Sequence, residues 1–261
     1  QLIAALLCFA MERTFVRRTA ENTLLMATGS LSPASAGFIL NNRVPAPCRH
    51  FCGREEELST LHALLNEHGK VFIIGIPGIG KSELAKSYAK QHKADYTNIV
   101  HLYYTGSLHE DIARMDFVDD LPDDTADARY EHHARFLRTL KEDTLLIVDN
   151  FNATADEDDL LAEVMAYRCK VLFTTRCRFD EYPMLELSEI NNKQTLLHLM
   201  SSFYSEAAQH QGTLLQIIDA VHSHTLAIEL AARLLETGML EPRALLMKLQ
   251  AEKAAFDASD T

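Results

Sequence analysis

Short, nearly unbroken apolar runs alternate along this chain with segments whose apolar residues recur every three or four positions. The runs KVFIIG (70–75), NIVHLYYT (98–105), TLLIVD (144–149) and KVLFTT (170–175) have strand length and are rich in β-branched and aromatic residues; MLELS (184–188) is a shorter fifth. Between them the spacing turns helical. REEELSTLHALLNEHG (54–69) sets Leu58, Leu61, Leu64 and Leu65 on one face and closes on Gly69, KSELAKSYAKQH (81–92) reads as a second helix, and two more are expected over 126–141 and 156–167. Strands this apolar, separated by helices, predict a parallel sheet covered on both faces. From residue 190 the strand texture stops and four helical segments follow, at 191–204, 211–223, 225–237 and 241–256, the last two parted by Gly238 and Pro242. Upstream, residues 1–28 have helix-forming composition, while GSLSPASAG (29–37) and NNRVPAPC (41–48) carry linker signals. The expected organisation is an N-terminal helix and linker over 1–46, an α/β domain over 47–189 and a small all-α bundle over 190–261.

A length of 261 residues with 47% apolar content allows one domain plus a satellite, or two, with a substantial core. The formal net charge of -12 argues against an extended nucleic-acid-binding face, since phosphate affinity rests on clustered Lys and Arg. Asp116, Asp119, Asp120, Asp123, Asp124 and Asp127 crowd one stretch without a basic residue, which reads as a solvated loop. Asp156, Glu157, Asp158 and Asp159 are expected to favour the first turn of the next helix through its dipole. Five cysteines at irregular spacing suit a reducing, cytoplasmic setting. Cys48, His50 and Cys52 lie close together, but no second cluster completes a four-ligand zinc site. The pairs His132 with His133 and His222 with His224 read as helix-surface or packing residues. The apolar run at 2–11 is too short to span a membrane and lacks a signal peptide's basic leader and cleavage site, so a buried helix is expected there. A chain that opens on Gln1 reads as part of something longer.

The strongest chemical signal is GIPGIGKS at 75–82, which fits G-x-x-x-x-G-K-[ST] with Gly75, Gly80, Lys81 and Ser82. It follows an apolar strand and opens a helix, as phosphate binding requires: glycines let main-chain N–H groups converge on an anion at the positive end of the helix. Pro77 has no N–H, so the cradle must come from the residues after it, Gly78, Ile79, Gly80, Lys81, Ser82 and Glu83. Lys81 is expected on the β and γ phosphates, and Ser82 on magnesium. Asp149, ending TLLIVD after four apolar residues, is placed to hold the same magnesium, although an Asp after a strand is also a common turn residue. Arg176, just beyond the strand in FTTR, can reach a γ-phosphate and sense it; alone it would read as a surface Arg in a turn. Lys81, Asp149 and Arg176 are therefore the candidate catalytic residues.

With these three motifs in order, the chain resembles the NB-ARC branch of the STAND signalling ATPases, over about residues 48 to 256. FCGREEEL (51–58) is similar to the family's box before the first helix, VHLYYTGSLHEDI (100–112) to its second strand and turn, and HTLAIELAARLL (224–235) to the helix that opens with a Gly-x-Pro-Leu-Ala signature. The resemblance implies a P-loop NTPase fold with a helical lid, binding ATP or ADP with magnesium. It also implies that Phe51, Cys52, Gly53 and Arg54 belong to the adenine and ribose side. Further implications are a winged-helix and sensor region beyond this chain, an upstream effector region and nucleotide-dependent self-assembly.

Two departures stand out. Ser223 and Thr225 occupy the places of the signature Gly and Pro, so the adenine contact falls to Thr225 and Leu226. Asn150 follows Asp149 where many such sites carry a second carboxylate; an amide orients a water but cannot accept its proton. The expected function is a nucleotide switch with slow hydrolysis. A scaffold without turnover and a DNA-associated ATPase are the alternatives.

Overall fold

The computed structural model describes residues 44–117 and 120–259, with side chains of the last helix described through residue 252. The expected helix over 1–28 and the linker at 29–37 lie outside the described residues. The elements, in chain order, are α1 (Glu55–His68), β1 (Lys70–Ile74), α2 (Lys81–Gln91), β2 (Asn98–Tyr103), α3 (Leu108–Ala113), α4 (Ala126–Thr139), β3 (Thr144–Asp149), α5 (Leu160–Ala166), β4 (Lys170–Thr175) and β5 (Met184–Glu186). Four helices follow: α6 (Lys193–Ser201), α7 (Gln211–Ala220), α8 (Thr225–Glu236) and α9 (Pro242–Ser259).

The strands form one parallel sheet in the order β2-β3-β4-β1-β5. Alternate residues go to opposite faces, and both faces are covered. Phe72, Leu146, Val148, Val171 and Phe173 meet Ile112, Leu137, Leu161 and Val164 from α3, α4 and α5. Val71, Ile73, Leu145, Ile147 and Leu172 meet Leu61, Leu65, Leu84 and Tyr88 from α1 and α2. This is why the strand interiors are largely apolar: each buried large side chain contributes about 1.5–3 kcal/mol. A separate apolar cluster, including Leu196, Met200, Leu214, Ile217, Ile228 and Leu235, holds the helical region together, with Cys52 packed against it. This is the P-loop NTPase arrangement, a helix-covered parallel sheet with a helical C-terminal region. Among the described residues, no helix is long and apolar enough to cross a membrane.

Several local expectations change. Helix α3 falls where only a strand and turn were foreseen; Ser107 and the buried Asp158 both accept main-chain N–H groups of its first turn, from Glu110 and Leu108. Asp158 thus caps α3 as well as accepting from Leu160 at 3.2 Å, and Glu157 closes a turn on Thr154. Helix α5 accordingly begins at Leu160, not at 156. Helix α7 stops at Ala220 because His222 and Ser223 take φ of 52° and 58°, turning the chain into α8. The acidic stretch is not wholly solvated either. Asp127 is open to solvent, but the Asp120 carboxylate accepts from the main-chain N–H of Phe117 at 3.1 Å and from Nε2 of fully buried His133 at 2.7 Å. Among the described residues, the groups of three with metal-ligand chemistry are His62, His92 and Asp95, and Asp120, His132 and His133; Cys48, His50 and Cys52 form no such group.

Candidate functional site

The loop joining β1 to α2 lies at the carboxyl ends of the central strands, where ligands of open α/β sheets bind. Gly78 takes φ +78°, and a Cβ there would come within 2.8 Å of His224 Cε1 and 2.9 Å of Leu226 Cβ, so both backbone shape and close approach require glycine. Gly80 caps α2, and no side chain caps the helix, leaving its first N–H groups available to an anion. The Ile79 side chain is buried beneath the loop and anchors it. Lys81 Nζ donates to the carbonyls of Gly75 at 2.7 Å and Ile76 at 3.0 Å. Burial lowers the pKa of its ammonium; nearby Arg176 lowers it further, and Asp149 opposes both.

Beside the loop, Ser82 Oγ donates to Asp149 Oδ1 at 2.7 Å and Thr174 Oγ1 donates to the same oxygen at 2.5 Å. His101, on the neighbouring strand β2, brings Nε2 to 3.6 Å from Asp149 Oδ2. Burial pushes the Asp149 carboxyl up, but neighbouring His101 and the hydrogen bonds from Thr174 and Ser82 prevail and hold it at about 2. It is a carboxylate at any physiological pH. Next to it Asn150 bends away from the strand at φ 67°.

A cavity of about 420 Å³ opens above this corner. Of the residues expected at the site, Phe51, Cys52, Arg54, Pro77, Gly78, Ile79, Gly80, Lys81, Ser82, Glu83, Arg176, Thr225 and Leu226 all line it, while Gly53 and Asp149 stand behind its surface. Gly53 packs so close to α6 that a Cβ would lie 2.7 Å from Thr195 Cγ2. Arg54 is buried and its guanidinium is engaged by the protein itself, donating to Ser188 O at 2.8 Å, Ile79 O at 3.3 Å and Glu57 Oε1 at 2.6 Å. Glu83 likewise accepts from Cys48 N at 2.6 Å and pairs with Lys86 at 3.0 Å. These two residues brace the pocket wall. Asn152, Thr174, Ile190, Leu199 and Glu229 line the cavity without having been foreseen.

The helical region reaches the P-loop directly. His224 Nδ1 accepts the Ala227 N–H at 3.3 Å, so its proton sits on Nε2, which donates to Pro77 O at 2.8 Å; Thr225 Oγ1 donates to Gly78 O at 2.9 Å.

A family model for the AAA ATPase domain matches residues 50–247. The chain belongs to that family. No curated protein matches it. Among solved structures it is similar to a Walker-type ATPase of Pyrococcus abyssi, at 12% identity and a TM-score of 0.56, over 83% of this chain and 76% of that one. It is also similar to the Hsp104-ADP complex of S. cerevisiae, at 15% identity and a TM-score of 0.50, over 72% of this chain and 31% of that one. At these identities the likeness speaks of fold alone.

Membership of the AAA ATPase domain family implies nucleotide binding, usually with magnesium. The residues present fit both groups. The glycine-bounded P-loop, with α2 uncapped and Lys81 at its mouth, suits a polyphosphate, and the hydroxyl of Ser82 beside an ionised Asp149 is a hard oxygen donor set suited to magnesium. The apolar side of the AAA domain's cavity, formed by Phe51, Ile190, Leu199 and Leu226, suits a planar base.

Proposed function

We propose that this AAA domain is an ATP/ADP-binding switch of the NB-ARC branch of the STAND signalling ATPases, with slow magnesium-dependent hydrolysis at most. The observation that carries the reading is the pair of hydrogen bonds from His224 and Thr225 to the carbonyls of Pro77 and Gly78. They link the shape of the P-loop to the position of the helical region, and the cavity between them draws its walls from both. In this reading residues 47–189 form the nucleotide-binding domain and 190–261 the lid. Lys81 neutralises the β and γ phosphates, Ser82 and Asp149 hold magnesium, Arg176 senses the γ-phosphate, and the segment 51–54 with Thr225 and Leu226 encloses the base and ribose.

A switch needs different affinities of its two arrangements for the two nucleotides. Arg176 supplies that difference, because it meets a γ-phosphate in ATP and nothing in ADP. Asn150 slows the chemistry, since its amide can orient a water without deprotonating it. The protein is expected to act in the cytoplasm and to self-associate in one nucleotide state. The net charge of -12 weighs against a direct role of this chain on nucleic acid.

The test pairs two measurements on the purified chain. Nucleotide released on denaturation is expected to be ADP, and distances between spin labels on α4 and α9 are expected to differ between magnesium ADP and a magnesium-bound non-hydrolysable ATP analogue. Identical distances in the two nucleotide states would remove the switch.

A further inference from the structure

Two asparagines join the tip of β3 to the turn after β4. Asn150 sits in the left-handed region, which asparagine tolerates better than most residues. Its main-chain N–H donates to Thr174 Oγ1 at 2.8 Å, the same hydroxyl that donates to Asp149. Its side-chain Nδ2 donates to Tyr104 O at 3.3 Å, and its Oδ1 accepts from Asn152 Nδ2 at 2.6 Å. Asn152 Nδ2 also reaches Asn150 O at 3.1 Å, while Asn152 Oδ1 accepts the main-chain N–H of Arg176 at 2.9 Å. Phe151 between them is fully buried against Tyr104 and Phe173, so the two asparagines project from a fixed pivot.

Arg176 itself is exposed, and its guanidinium has no ion-pair partner among the described residues. What the fold fixes of it is its main chain, which Asn152 holds and from which the side chain starts. We propose that Asn152 is a positioning residue that ties the main chain at Arg176 to the carboxamide of Asn150, coupling γ-phosphate sensing to the magnesium-side tip of β3. The inference rests on the roles given above to Arg176 and Asp149. It also assigns the amide of Asn150 a place in the same framework: a group that both donates to Tyr104 O and accepts from Asn152 Nδ2, which a carboxylate could do only in part.

The competing view is that Asn152 merely closes a turn. A turn-closing residue would affect ATP and ADP alike, whereas a residue acting through Arg176 changes their ratio. The experiment measures affinities for magnesium ADP and a magnesium-bound non-hydrolysable ATP analogue by calorimetry, for the parent, Asn152→Ala, Arg176→Ala and the double variant. Loss of about one hydrogen bond's net contribution predicts that Asn152→Ala narrows the ATP-to-ADP affinity ratio about fivefold. The double variant is expected to match Arg176→Ala, because Asn152 acts through it. A ratio kept within twofold in Asn152→Ala while Arg176→Ala narrows it overturns the proposal, as does equal weakening of both nucleotides. If Arg176→Ala leaves the ratio unchanged, the sensor reading itself falls and takes this inference with it. Melting curves show whether each variant is folded; should Asn152→Ala melt below the assay temperature, Asn152→Ser replaces it with the same outcomes read.

Discussion

Asp149 at the tip of β3 and Asp120 between α3 and α4 each face a histidine, His101 at 3.6 Å and His133 at 2.7 Å. In both, burial pushes the carboxyl up, and the nearby histidine, followed by the hydrogen bonds of the other partners, pulls it below the usual carboxylate range. The other partners differ. Asp149 Oδ1 receives the hydroxyls of Ser82 and Thr174, which can turn their lone pairs toward a cation. Asp120 receives the main-chain N–H of Phe117, which cannot. His133 also has Ile112 O at 2.7 Å from Nδ1, so both ring nitrogens face acceptors. The ring is thus held between Asp120 and Ile112 O, and these contacts fasten a loop to the core. A depressed carboxyl beside a histidine does not mark a functional site; the exchangeability of its remaining partners separates the two regions.

That contrast predicts opposite phenotypes. On the loop side, His133→Ala leaves Asp120 without its partner and opens a cavity, and is expected to cost about 3–4 kcal/mol of stability in urea melts while nucleotide affinity stays within about twofold. A stability loss below about 1 kcal/mol would dissolve the contrast. On the pocket side, Lys81→Ala removes the cation proposed to meet the phosphates and is expected to weaken ATP binding roughly a hundredfold by calorimetry, with little change in melting temperature. Unchanged affinity would remove the P-loop assignment.

These two regions were also unequally readable in the sequence. The strands at 144–149 and 170–175 have the bounds their apolar runs indicate, because burial on both faces writes itself into every residue. The phosphate loop was readable for a different reason: its geometry is local, eight residues between a strand and a helix. Helix α3 escaped because one of its caps comes from Asp158, fifty residues away in the chain. Asn152, Thr174 and Glu229 escaped because their place depends on the parallel register of β3 with β4 and on α8 folding back over the P-loop. Arg54 looked like a ligand residue since only its burial shows that carbonyls and Glu57 occupy its guanidinium. Asp120 looked solvated because an acidic run does not reveal which member finds a buried histidine.

Acid titration sharpens the comparison with a smaller effect. Both carboxyls have folded values below their unfolded ones, so each contributes its stability in full above about pH 4 and loses it as pH falls through the folded value. For Asp149 that value is about 2, and the contribution at stake is on the order of 2 kcal/mol. Urea melts from about pH 6 down to about pH 2 should therefore show a steeper loss in the parent than in Asp149→Asn. Equal slopes would mean that His101, Ser82 and Thr174 do not stabilise the ionised form.

The smallest effect is expected at Asn150. Asn150→Asp keeps an acceptor for Asn152 Nδ2 but loses the donation to Tyr104 O and sets a carboxylate oxygen against that carbonyl. Stability should fall by about 1 kcal/mol. Turnover of magnesium ATP should rise, yet by no more than about tenfold, short of the roughly 10²–10⁴ that a well-placed general base contributes. The new carboxylate would be held by Asn152 and not free to meet a water. Single-turnover phosphate release measures this directly, and adding Asn152→Ala to the same variant should raise the rate further by freeing that oxygen. A thousandfold gain from Asn150→Asp alone would mean instead that the missing carboxylate was the whole block, and that the two asparagines hold nothing the chemistry needs.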